Sequence, residues 1–151
     1  MAFQPRRAKK ADAANVLKLT RQAYAKWVPA IGREPLPMTT DYDRAVLEHI
    51  IDLWEEGGQL VGLIETIPKE TYLLIENIAV RPDQQGNGIG KELLHHAEKL
   101  ARSLGLAEMR LYTNAAFGSN VAYYVRHGYE EFLREVTIPG NITVHMSKRL
   151  H

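Results

Sequence analysis

AVRPDQQGNGIGKELL, from Ala79 to Leu94, sets three glycines, Gly86, Gly88 and Gly90, between a proline turn and the start of an apolar-periodic run. Glycine loses more backbone entropy on folding than any other residue. A cluster of glycines therefore marks backbone that needs positive φ or must come close to another body. The run itself is GKELLHHAEKLARSLG, where Leu93, Ala97, Leu100 and Leu104 form one stripe widened by Leu94 and Ala101, and Gly105 ends it. Strand, glycine turn, helix is a physical recipe for an anion site. The first N–H groups of a helix lack partners, and the positive end of its dipole lies there.

The frame around this loop is ordinary. The chain has 151 residues, 45% hydrophobic and 25% charged, with a net charge of +1, which predicts one domain and gives no basic footprint for nucleic acid. Its basic clusters, Arg6-Arg7 with Lys9-Lys10 and Lys148-Arg149, read as solvated ends. There is no cysteine, which excludes disulfides, thiolate metal sites and a cysteine nucleophile. MAFQPRRAKKAD lacks the apolar core of a signal peptide and no run is long enough to span a bilayer. The expectation is a cytoplasmic protein with no membrane partner.

Along the chain, Phe3 to Arg7 reads as a short strand, Asp12 as the cap of a helix through Val16, Leu19, Ala23 and Trp27, and Asp41 to His49 as a second short helix. Pro29, Pro35 and Pro37 forbid one continuous helix between them. HIIDLW, QLVGLIET and TYLLIENIAV form a strand meander, EMRLYT a further strand, and NVAYYVRHG a short helix. YEEFLREVTI and ITVHMSKRL make a hairpin through Pro139-Gly140-Asn141. The order is strand, two helices, three strands, helix, strand, helix, two strands: a mixed α/β sheet.

Two familiar phosphate loops fail here. A mononucleotide loop needs four residues before its Gly-Lys-Ser/Thr end, whereas Asn87, Gly88 and Ile89 alone separate Gly86 from Gly90-Lys91, and Glu92 stands in place of the hydroxyl. The dinucleotide fingerprint fails on spacing and on the missing βαβ opening. Gln85-Gly86-Asn87-Gly88-Ile89-Gly90 reads Q-x-x-G-x-G after a strand ending Ile78-Ala79-Val80-Arg81-Pro82. This resembles the acetyl-CoA signature of the GNAT superfamily of N-acetyltransferases. Tyr123-Tyr124-Val125-Arg126-His127-Gly128-Tyr129 is similar to that family's late Y-x-x-x-G-[FY] segment, and the element order matches over nearly the whole chain. The resemblance implies a mostly antiparallel central sheet with a splayed strand, helices on both faces, and acetyl-CoA as cofactor.

It also implies residue roles. Ile78, Ala79 and Val80 would line the pantetheine arm through backbone groups, and the N–H groups from Gln85 to Lys91 (Gly86, Asn87, Gly88, Ile89 and Gly90 between them) would hold the pyrophosphate. Asn120 either reaches the cofactor arm or caps the helix that starts near it. Tyr124 matches a tyrosine that lies near the thioester sulfur. A phenol of pKa near 10 can share a proton with a thiolate whose thiol has a pKa of roughly 8.5. The alternative is a core aromatic, the role given to Tyr123.

The resemblance further implies a primary amine as acceptor, on a small molecule or a peptide. At a pKa of about 10.4 such an amine is mostly protonated at neutral pH, so a proton acceptor is needed. Glu76 shares a face with Ile78 and Val80 if alternation holds, and a carboxylate there is suited to that task; a water chain, or a salt-bridged Glu76, are the other readings. His95 and His96 are adjacent and point to different helix faces, so no metal is predicted.

AYAKWVPAIGREPLPMTTDY is the least generic stretch, and Tyr24, Trp27 and Arg33 are its acceptor-binding candidates, against a proline-stiffened cover packed on the core. Arg33 favours an acceptor with an anionic group, while Glu34 and Asp41 favour a cationic one. Two other classes stand beside the enzyme: a non-catalytic acyl-CoA sensor and a nucleotide-binding module. Monomer or homodimer is not fixed by the sequence.

Overall fold

The computed structural model describes residues 4–151. One seven-stranded sheet runs in the order β1-β2-β3-β4-β5-β7-β6. The strands are β1 Arg6–Arg7, β2 Ile50–Glu56, β3 Gln59–Pro68, β4 Leu73–Val80, β5 Glu108–Asn114, β6 Glu130–Ile138 and β7 Asn141–Arg149. Every neighbouring pair is antiparallel except β4 with β5. The helices are α1 Ala13–Tyr24, α2 Val28–Ile31, α3 Tyr42–Glu48, α4 Ile89–Ser103 and α5 Gly118–Arg126. A parallel pair cannot be joined by a hairpin, so α4 serves as the crossover between β4 and β5.

Both faces of the sheet are covered, which is why its central strands read as near-continuous apolar runs. On one face Leu93, Leu94, Ala97 and Ala101 of α4 bury Val61, Ile64, Leu73, Ile75, Met109 and Leu111. On the other, α1 and α3 bury Ile51, Leu53, Leu63 and Ala79 beneath Val16, Leu19, Ala23, Tyr42 and Ala45. No helix among the described residues is long and apolar enough to cross a membrane. Strand β6 is exposed along its whole length and carries Phe132, Leu133, Val136 and Ile138 at the sheet edge.

The decisive irregularity lies in β4. Glu65 of β3 pairs with Asn77 and Thr66 pairs with Ile75, so Glu76 has no opposite residue. It is a β-bulge, and a bulge bends its strand and increases the local twist. Leu73 and Ile75 pack into the α4 core, whereas Asn77 bonds to Thr20 of α1 and Tyr42 of α3. Past the bulge, Ile78 and Val80 pack toward α4. The extra residue thus resets the alternation, and the expectation that Glu76 shares the face of Ile78 and Val80 is corrected. Pairing of β4 with β5 covers Leu73, Leu74 and Ile75 and then stops, leaving Glu76 to Val80 unpaired on that side.

Several side chains differ from the sequence reading. Asp12 makes no cap to α1; its carboxylate binds Arg6 at 2.8 Å and accepts the Lys9 N–H at 2.7 Å, fastening the helix start to β1. Of the strand expected over Phe3 to Arg7, only Arg6 and Arg7 are extended into the sheet, and Phe3 lies outside the described residues. Leu104 is 46% exposed, while Glu98 is buried on the apolar stripe, accepting from Tyr129 and Lys148, both at 3.2 Å. His96 is half-buried: its Nε2 lies 2.8 Å from buried Asp52, which also accepts from Arg7 Nε at 2.7 Å.

Burial pushes the Asp52 carboxyl up, but hydrogen bonds from His96 and Arg7 and the Arg7 charge outweigh it and hold the group below its ordinary value. A lowered carboxylate contributes stability that is present above the unfolded value, about 3.9, and lost as the pH falls through the folded one. Asp52→Asn should therefore cost about 1–3 kcal/mol at pH 7, with the gap to wild type closing at low pH. Chemical denaturation across pH 2–8 checks this; a gap constant to pH 2 would assign the loss to packing.

Candidate active site

The chain leaves β4, makes a single turn over Pro82–Gln84 and enters α4 at Ile89. The three glycines of this passage serve different ends. Gly86 and Gly88 have φ of +85° and +83°, and a Cβ on either would meet nothing within 4 Å, so conformation is what requires glycine there. Gly90 has no such φ, but a Cβ would lie 2.8 Å from the Tyr123 hydroxyl. The first two shape the turn; the third lets α5 close against α4. No side chain caps α4, so its first N–H groups face the space in front of it.

That space is a cleft of about 580 Å³. Ile78, Ala79, Val80, Gln85, Gly86, Gly88, Ile89, Gly90, Lys91, Asn120 and Tyr124 all line it. Asn87 does not; its amide donates to Gln84 at 3.4 Å. Gln85 Nε2 donates to the Val80 carbonyl at 3.1 Å, covering one polar group of the bent strand. Helix α5 begins at Gly118, which removes the capping alternative for Asn120. Sequence reasoning missed Lys26, Ser119, Arg126 and His127 on the same walls. Burial, then the charges of Lys91, His95, Arg126 and Lys148, hold the His127 pKa below its ordinary value, a sign of how positive this end is.

A second cavity of about 410 Å³ contains Glu76, Tyr112, Arg33, Glu135 and His145. Tyr24, Asn120 and Tyr124 line both spaces, so the two meet there. Trp27, expected on the acceptor wall, lines the first cleft instead, stacked on Phe117 at 4.4 Å between ring centroids. Glu76 accepts a hydrogen bond from Tyr112 at 2.6 Å, a polar setting rather than the aliphatic one that alternation predicted. Burial first, and Glu76 second, raise the Tyr112 pKa and keep it a phenol. Behind Glu76, buried Glu65 is raised by burial, offset in part by His49 Nδ1 at 2.6 Å.

Asn77, absent from the sequence reading, organises the junction. Its amide donates to Thr20 and Tyr42, both at 3.1 Å, while its carbonyl accepts from Tyr24 at 2.9 Å. Tyr42 in turn donates to the Pro37 carbonyl at 2.8 Å. The signal available was a lone Asn inside LLIENIAV, a polar residue that a buried strand keeps only if it is bonded. Tyr124 is buried against Tyr123 and Tyr129, and its hydroxyl has no hydrogen-bond partner among the described residues. Burial, with Tyr123 nearby, pushes its pKa well up.

The sequence profile of the acetyltransferase (GNAT) family matches residues 16–129, and the chain belongs to that family. Its fold is shared with PaiA N-acetyltransferase from Thermoplasma acidophilum in complex with coenzyme A, at 19% identity and TM-score 0.81 over 99% of both chains. Ribosomal-protein-S18-alanine N-acetyltransferase from Escherichia coli aligns at 18% identity and TM-score 0.74, over 99% of this chain and 94% of that one. An aminoglycoside 6′-N-acetyltransferase complexed with coenzyme A aligns at 17% identity and TM-score 0.76, over 99% and 97%. No curated protein matches the chain in sequence.

The glycine geometry yields a graded expectation. Coenzyme A should raise the melting temperature of the wild type, by mass action on the folded state, and NAD should not. Gly88→Val forces a branched side chain into the left-handed region and should abolish the coenzyme A shift. Gly90→Ala presses only on the Tyr123 hydroxyl, so it should weaken the shift, and Tyr123→Phe in the same chain should restore it. Thermal shift titrations check all three; a full response from Gly88→Val would remove the loop from the site.

Proposed function

We propose that the protein transfers the acetyl group of acetyl-CoA to a primary amine by direct attack while both are bound. The observation that carries this is the junction: a cleft with a glycine turn and basic walls meets a cavity with a carboxylate at Tyr24, Asn120 and Tyr124. The residues present fit acetyl-CoA. A free helix start, two left-handed glycines without steric neighbours, and Lys26, Lys91 and Arg126 suit its phosphates. The unpaired side of β4 offers backbone groups to an amide-bearing arm.

When bound, acetyl-CoA supplies a thioester whose carbonyl carbon takes the amine lone pair as the carbon–sulfur bond breaks. The chain's part is placement and proton handling. Holding two reactants together gives effective molarities on the order of 10⁵–10⁸ M. Glu76 takes the proton that the attacking nitrogen sheds, and Tyr112 fixes the carboxylate by donating to it. Tyr124 keeps its own proton, because burial raises its pKa. Its role is to donate a hydrogen bond to the departing sulfur rather than to transfer a proton outright. Unpaired N–H groups past the bulge face developing negative charge.

No cysteine is present for a covalent acyl-enzyme. The acceptor chamber distinguishes this reading from a non-catalytic acyl-CoA sensor, which needs the first cleft alone. The exposed apolar residues of edge strand β6 support a homodimer built on that edge.

Tyr124→Phe removes one hydroxyl and keeps the ring between Tyr123 and Tyr129. It should lower kcat about 10²-fold and leave coenzyme A affinity unchanged, since the bond strengthens only as charge develops. Unchanged kcat in steady-state assays would reduce Tyr124 to a wall of the junction.

Glu76→Gln should lower kcat/KM by about 10²–10⁴-fold at pH 7. The deficit should shrink as the pH approaches the acceptor's own pKa, because the free amine then forms without help and only the proton shed after attack still calls for a base. A pH-independent deficit in the rate profile would point to positioning alone.

A further inference from the structure

We infer that the second cavity selects a primary amine that also carries a carboxylate, with Arg33 taking the carboxylate and Glu76 facing the amine. This rests on the acetyl-transfer reading of the same site.

The charges around the cavity divide into those already matched and those left open. Glu135 and His145 pair with each other at 2.6 Å. Tyr112 donates to Glu76 but brings no charge, and no basic side chain among the described residues pairs with that carboxylate. Arg33 is the guanidinium on the wall, and its neighbours do not satisfy it. Glu34, next in the chain, is held by Arg21 at 2.5 Å. Asp41 accepts the Arg44 N–H at the start of α3. Arg33 Nη1 has one long bond, 3.4 Å, to the Glu34 carbonyl. Arg33 Nε is buried and has no hydrogen-bond partner among the described residues. A buried donor left without a partner is costly, and a carboxylate that draws the guanidinium round to its Nε edge relieves that cost with two parallel bonds.

The same lining includes Ile31, Pro35, Phe117 and Ile138, which fit a hydrocarbon spacer. A polyamine would need a second open carboxylate, and Glu135 Oε1 already bonds the His145 ring at 2.6 Å. The sequence left the acceptor's charge open between Arg33 on one side and Glu34 and Asp41 on the other. Neither of those acids lines the cavity, whereas Arg33 does.

The experiment uses matched acceptors: glycine, 3-aminopropanoate, 4-aminobutanoate and 6-aminohexanoate, each against the n-alkylamine of equal chain length. Steady-state kinetics with acetyl-CoA, and calorimetric binding of each compound to the coenzyme A-loaded protein, are read for wild type, Arg33→Gln and Arg33→Lys. At one spacer length the acid should exceed its alkylamine in kcat/KM by about 10- to 100-fold, chiefly through KM. Arg33→Gln should collapse that ratio toward one, and Arg33→Lys should recover part of it. Equal handling of acids and alkylamines at every length by the wild type, or a ratio that survives Arg33→Gln, overturns the inference while leaving acetyl transfer standing. Absence of acetyl-CoA binding, or of turnover with every amine, instead overturns the transfer reading; calorimetry then still decides whether the cavity prefers the acids.

Discussion

The whole site depends on one interrupted ladder. Strands β4 and β5 pair at Leu73, Leu74 and Ile75 and then part. The bulge at Glu76 supplies the bend, since a strand with one extra residue cannot stay in register with both neighbours. Separation of the strands has a backbone cost, because polar groups in the middle of a sheet lose their partners. The molecule meets that cost locally. Gln85 donates to the Val80 carbonyl, and the Tyr24 hydroxyl lies 3.4 Å from the Ile78 carbonyl. Both are side chains, which a ligand backbone can replace without disturbing the ladder with β3.

The bulge also decides which side chains the two spaces receive. Without it, strict alternation from Leu73 and Ile75 would put Asn77 on the α4 side and leave Ile78 and Val80 on the same face as Glu76. With it, Glu76 meets Tyr112 on the other side, and Asn77 turns inward to bind Thr20, Tyr42 and Tyr24. That amide ties β4 to α1, to α3 and, through Tyr42, to the Pro37 loop. The Pro37 loop, α1, α3 and β4 are therefore joined by one hydrogen-bonded network that reaches Tyr24 at the junction.

Much of this was legible. The glycine turn, the helix behind it, the strand before it and the late tyrosine segment carry local signals: punctuation by Gly and Pro, and 3.6-residue periodicity. What was not legible was set by partners distant in sequence. No local pattern marks Glu76 as a bulge, because the irregularity exists only in register against β3. Trp27 sits on the wrong side of the expected divide because its stacking partner, Phe117, is contributed by the segment before α5. The partners of Glu98 and His96 are equally remote: Tyr129, Lys148 and Asp52 come from strands and turns that the helix alone does not announce. Local pattern marked the loop and the elements around it; long-range register set where the side chains fell.

The two spaces are also divided by charge. The first cleft carries Lys26, Lys91, Arg126 and a histidine whose proton affinity is reduced by burial and by its cationic neighbours, and no acid lines it. The second carries both signs, with Arg33 as well as the carboxylate of Glu76. A polyphosphate is favoured by the first, whereas the second offers a carboxylate to a protonated amine. Tyrosines and an asparagine make up the shared wall, and they are neutral. The burial that raises Tyr124 keeps it so across the working pH range. An ionised group at the junction would favour one reactant and repel the other, so a neutral donor is the arrangement that admits both.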